Sequence, residues 1–131
     1  MRCPKRILII DDEPDIREIA KLSLQITKQW EVLAAASGLE GIAIAAAEKP
    51  DAILLDVIMP GLDGLGTLRK LKMDPETQDI PVILLTATAK LVMQSEYSDC
   101  DTQGILIKPF DPGILGEQIE TALAWQPIQK S

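Results

Sequence analysis

The chain has 131 residues, of which 47% are hydrophobic, 25% charged and only 3% aromatic, a balance that fits a folded soluble domain with an aliphatic core and disfavours disorder. Twenty acids against thirteen bases give a net charge of −7, which opposes binding to nucleic acid or to an anionic membrane surface. The absence of histidine removes histidine-based catalysis and most zinc chemistry, and Cys3 and Cys100, far apart, argue against a disulfide framework.

In chain order, the first element is a strand over 7–10. The basic residues before it, Arg2, Lys5 and Arg6, are followed by only four aliphatic residues, too few for a signal sequence or a membrane span. Pro14 then opens a helix with an apolar stripe of Ile16, Ile19, Ala20 and Ser23. A second strand at 32–35 leads through Ser37 and Gly38 to a helix carrying Leu39, Ile42, Ala43 and Ala46. A third strand at 52–55 precedes Asp63 and a helix with Leu65, Leu68 and Leu71. After a strand at 82–85 comes a weaker helix at 90–97, in which Leu91, Val92 and Met93 are grouped without a clean stripe. The fifth strand, 105–107, is followed by Asp111 and Pro112 and by a helix with Leu115, Ile119, Ala122 and Leu123.

Apolar runs that are continuous rather than alternating imply a parallel sheet buried on both faces. Five strands alternating with five helices make an α/β architecture, doubly wound. The whole of 1–131 reads as one domain, with a core of about 5–125 and a tail at 126–131.

In open parallel sheets, ligands sit beyond the carboxyl ends of the strands. There the first strand runs into Asp11 and Asp12, the third ends in Asp56, the fourth in Thr86 and the fifth in Lys108 and Pro109. Each residue alone has an ordinary structural role: Asp12 and Glu13 as helix caps, Asp56 as a loop acid, Thr86 bonded to its own backbone, Lys108 as a solvated charge. Together they bring three carboxylates, a hydroxyl and an ammonium to one edge. Two carboxylates ~4 Å apart repel by ~4 kcal/mol at the effective dielectric of a protein surface. A hard oxygen-rich cluster of this kind suits Mg²⁺, which offsets that repulsion.

The segments IIDDEPD (9–15), LLDVIMPGLDG (54–64), ILLTATA (83–89) and LIKPF (106–110) resemble the receiver domain of two-component response regulators, over nearly the whole chain. The resemblance implies a flavodoxin-like strand order, 2-1-3-4-5, with five helices. It implies that Asp56 accepts a phosphoryl group from a phosphohistidine on a histidine kinase or histidine phosphotransfer protein. Asp12, Asp56 and the main-chain carbonyl of Ile58 are then expected to bind Mg²⁺ directly, and Asp11 mostly through water. Lys108, Thr86 and Ala87 are expected to hold the phosphoryl group, with Lys108–Pro109 a candidate cis peptide. Thr86 and Ile105 become the switch positions of a face built from the fourth and fifth helices and the fifth strand. That face would bind a downstream protein target or a second copy of the chain.

Three departures from the family pattern qualify this. Ile105 stands where receivers usually carry Tyr, Phe or His, so an aromatic switch is missing. SDCDTQG (98–104) replaces a small, Ala-Gly-rich turn, and exposure of Ile105 with part of 91–93 would make an apolar output patch. The aliphatic Ile58 and the uncharged Thr88 predict slow loss of the phosphoryl group. A receiver-like interaction module that takes no phosphate is the competing reading. A phosphohydrolase would show D-x-D, but Ile58 lies two beyond Asp56; a flavin carrier needs a Ser/Thr/Gly-rich loop where this chain has acids.

Overall fold

The computed structural model describes residues 5–57, 64–86, 104–108 and 111–124. Five strands and four helices appear among them: β1 (Arg6–Ile10), α1 (Pro14–Lys28), β2 (Glu31–Ala35), α2 (Gly38–Glu48), β3 (Ala52–Asp56), α3 (Gly64–Met73), β4 (Val82–Thr86), β5 (Gly104–Ile107) and α4 (Leu115–Leu123). The expected helix at 90–97 lies outside the described residues, so the last helix carries the label α4. The sheet is parallel throughout, in the order β2-β1-β3-β4-β5.

Every residue of β3 and β4 is buried, as is all of β1 except Arg6. The reason is that alternate side chains fill two separate cores. Leu8, Ile10, Ile53, Leu55 and Leu84 face Ala45 of α2 and Leu68 and Leu71 of α3. Ile7, Ile9, Leu54, Ile83 and Leu85 face Ala20 and Leu24 of α1 and Leu115 and Ile119 of α4. The edge strands β2 and β5 are only partly buried.

Several boundary and face expectations need correction. In α1, Ile19 is 41% exposed and Leu24 takes its place in the core. In α2, Leu39 is 67% exposed and Ala43 also faces out, whereas Gly38, Gly41 and Ala45 are buried. A helix so rich in Ala and Ile has no polar face to fix its rotation, so the tightest packing decides it. A Cβ on Gly41 would sit 2.4 Å from Ile10 Cδ1, and this close approach turns the glycine inward. At α4, Asp111 and Pro112 open a turn rather than the helix: Asp111 Oδ1 accepts from the Gly113 N–H (2.8 Å), and helical residues begin at Leu115. Ser37 caps α2 as expected, accepting from the Glu40 N–H. Among the described residues no helix is long and apolar enough to cross a membrane.

A polar seam joins α1 to the far end of the fold. The Ser23 hydroxyl donates to the Pro112 carbonyl, and Lys28 pairs with Glu120 at 2.7 Å with both side chains largely buried. The second half of α1 is thereby tied to Pro112, just before α4, and to α4 itself.

Candidate functional site

The strand order places the carboxyl ends of β1 and β3 side by side at the centre of the sheet. Asp11 follows β1 and is fully buried; Asp56 ends β3 and is 4% exposed; Asp12 is half-buried. One carboxylate oxygen from each of the three lies within 4.8 Å of the others. The Lys108 ammonium reaches past the end of β4 to within 2.9 Å of Asp11 Oδ2, 3.3 Å of Asp56 Oδ1 and 3.6 Å of Glu13 Oε1. Thr86, buried at the end of β4, accepts the Lys108 backbone N–H at its carbonyl (2.8 Å).

Local bonding fixes the orientation of Asp11. Its N–H donates to the Ala35 carbonyl at 3.1 Å, its Oδ1 accepts the Glu13 N–H at 2.9 Å, and its carbonyl accepts Arg17 Nη1 at 2.8 Å. The bond to Oδ1 is an Asx turn that steers the chain into α1. Oδ2 is therefore directed at Lys108, whose ammonium is its partner at 2.9 Å among the described residues. Three carboxylates this close repel one another, and a cation between them would relieve that repulsion. The donor set is all oxygen, which fits a hard divalent ion. Burial by itself would lower the Lys108 pKa, but the hydrogen bond and charge of Asp11, followed by those of Asp56, outweigh it and hold the ammonium above the ordinary lysine value.

Asp11, Asp12, Asp56, Thr86 and Lys108 thus stand at one edge as the sequence predicts. Ile58, Ala87, Thr88 and Pro109 lie outside the described residues. Ile105 is half-buried on β5, where it borders an open groove with Leu106, Ile114 and Ala122; residues 91–93, its expected neighbours, also lie outside. Glu13 occupies the N-cap position of α1, but its side chain makes no capping bond, so the cap role considered for it does not hold. The contacts of Glu13 with Lys108 and of Arg17 with the Asp11 carbonyl were not visible in sequence, because both depend on where α1 starts relative to β1.

Gly64 controls how closely α3 approaches β3. Its N–H donates to the Val57 carbonyl at 3.0 Å, and a Cβ there would lie 2.6 Å from Val57 Cα and O and 2.7 Å from the Asp56 carbonyl. Those are backbone atoms that cannot rotate away. Gly64→Ala is expected to cost about 1–3 kcal/mol, read as a lower midpoint in urea unfolding with an unchanged slope; a midpoint equal to the parent's would show that α3 can retreat freely.

The family model for the response regulator receiver domain matches residues 7–120. Protein PilH of Pseudomonas aeruginosa is 39% identical over 120 residues, an alignment covering 91% of this chain and 98% of that protein. The DNA-binding dual master transcriptional regulator RpaA of a Synechocystis species is 38% identical over 106 residues, covering 81% of this chain but only 44% of the relative. Among solved structures, the chemotaxis protein CheY4 of Vibrio cholerae superposes with a TM-score of 0.82 at 30% identity, covering 92% of this chain and 99% of that one.

Proposed function

This chain belongs to the response regulator receiver domains of two-component systems, and from that premise we propose that it is a phosphoacceptor switch whose Asp56 takes a phosphoryl group from a phosphohistidine partner in a Mg²⁺-dependent reaction. The observation that supports this most directly is the meeting of three carboxylates and one ammonium at the strand ends, with Asp11 Oδ2 buried against Lys108.

Asp11, Asp12 and Asp56 would hold Mg²⁺, helped by the Ile58 carbonyl. When bound, the ion supplies charge neutralisation for the transferring phosphoryl group. An Asp56 carboxylate oxygen attacks phosphorus, the bond from phosphorus to the donor imidazole nitrogen breaks, and that nitrogen keeps the electron pair. The product is an aspartyl phosphate. Lys108, released from part of its pairing with Asp56, turns to the new phosphoryl oxygens. Thr86, on the neighbouring strand end, donates its hydroxyl to another, with the Ala87 amide beside it. The chain phosphorylates itself once and is no turnover enzyme.

Movement at Thr86 would be passed to the neighbouring strand β5, which it bonds through Lys108, and to the face of β5 and α4 around Ile105. Lacking a ring, Ile105 would act there by packing. A downstream protein target docks on that face, and self-association through it would appear as a larger species on phosphorylation. Slow dephosphorylation is expected from Ile58 and Thr88.

Incubation with Mg²⁺ and acetyl phosphate or phosphoramidate, followed by intact mass, tests the proposal. One phosphoryl increment that vanishes with EDTA is the expected result; an unmodified chain would instead favour the phosphorylation-independent interaction module. Arg17 offers a second check. Removing its bond to the Asp11 carbonyl in Arg17→Met should weaken Mg²⁺ binding about tenfold by calorimetry, and an unchanged affinity would mean that Asp11 is held by its other bonds alone.

A further inference from the structure

We propose that Glu13 is a specificity-determining residue that holds Lys108 in the resting state and electrostatically disfavours small anionic phosphoryl donors; this rests on the reading of Asp56 as phosphoacceptor. The placement of Glu13 is unusual for an N-cap acid. Its backbone is fixed on one side by the N–H bond to Asp11 Oδ1 and on the other by Pro14 at the first helical position. Short N-cap side chains accept from the amides of the first turn; the longer Glu13 makes no such bond and instead directs Oε1 to 3.6 Å from Lys108 Nζ.

Of the three carboxylates found around Lys108 among the described residues, Asp11 and Asp56 are buried and lie in the metal-type cluster, whereas the Glu13 side chain is 61% exposed and stands outside it. It is therefore a negative charge at the rim that a bound cation need not neutralise. A phosphoryl donor must pass this charge, and the transferred group must win Lys108 from it. The penalty grows with the donor's own negative charge. A protein donor escapes it by placing a cation or a hydrogen-bond donor opposite Glu13, so the rim acid favours transfer from a protein over transfer from a free metabolite.

The test compares the parent, Glu13→Gln and Asp15→Asn for initial rates of Mg²⁺-dependent phosphorylation. The donors are acetyl phosphate, a dianion near neutral pH, and phosphoramidate, which carries one charge fewer. Glu13→Gln is expected to raise the acetyl phosphate rate roughly two- to fivefold, the size of one charge acting on a dianion through mostly aqueous surroundings. The gain should be smaller with phosphoramidate and shrink as salt is added, and Asp15→Asn should match the parent. Equal rates for parent and Glu13→Gln would overturn the inference, as would a gain that ignores donor charge and salt or one that Asp15→Asn reproduces. A fall in melting temperature with no rate change would make Glu13 structural and equally overturn it. A parent that takes no phosphoryl group from either donor would instead remove the phosphoacceptor reading beneath it.

Discussion

Asp56→Asn is expected to abolish covalent phosphoryl uptake altogether and, in the absence of Mg²⁺, to make the protein more stable than the parent. The first effect follows because an amide oxygen is a poor nucleophile at phosphorus, while Asp11 and Asp12 are proposed to be engaged as metal ligands. The second follows from the balance of charge. Asp56 lies within 4.8 Å of carboxylate oxygens of both Asp11 and Asp12, and 3.3 Å from the Lys108 ammonium, which also pairs with Asp11. Among the described contacts, removing its charge loses the attraction to Lys108 and relieves two repulsions. At an effective dielectric of 20 the difference favours the variant by about 1–2 kcal/mol, a rise of roughly 3–8 °C in melting temperature. Mg²⁺ should reverse the order, since binding to the native parent adds stability in proportion to the logarithm of its concentration over the dissociation constant. A variant that is less stable than the parent in EDTA would mean that the Lys108 pair outweighs the carboxylate repulsion.

Lys108→Met should have the opposite effect on the same cluster. The ammonium is the cation bonded to Asp11 and Asp56, and its side chain is only 15% exposed. Its removal leaves two buried carboxylates without their counter-charge, which typically costs ~3 kcal/mol. The loss should be largest in EDTA and partly restored by Mg²⁺, while phosphoryl uptake should stay low because the ammonium proposed to neutralise the transferred group is gone. Lys108 also sets a pH dependence. Its folded pKa is raised above the ordinary value of 10.5, so its contribution is fully present below that value and is lost as pH climbs through the folded pKa. The stability difference between parent and Lys108→Met should accordingly stay flat through neutral pH and narrow only in strongly alkaline solution. A difference that narrows on the acid side instead would point to the carboxylates as the titrating groups.

Much of this molecule is legible in its sequence, for a definite reason. Strands buried on both faces need uninterrupted aliphatic runs, so β1, β3 and β4 announce themselves, and polar residues at their carboxyl ends have only one edge of the sheet to occupy. Asp11, Asp12, Asp56, Thr86 and Lys108 were found that way. Helix rotation was harder. The stripe in α1 slipped because Ile19 and Leu24 are equally apolar, and the face of α2 was misread because side-chain bulk, not polarity, selects it.

The sequence by itself determined the order of the elements and which side chains reach the charged edge, since both follow from hydrophobic period and strand length. Only the tertiary structure decided how those charges pair. Which carboxylate oxygen Lys108 meets, that Glu13 leans to the ammonium instead of capping α1, and that Gly64 must lack a side chain all depend on distances between segments remote in the chain. Electrostatic and contact energies change steeply over an ångström or two, and residue spacing along a chain does not fix separations to that scale.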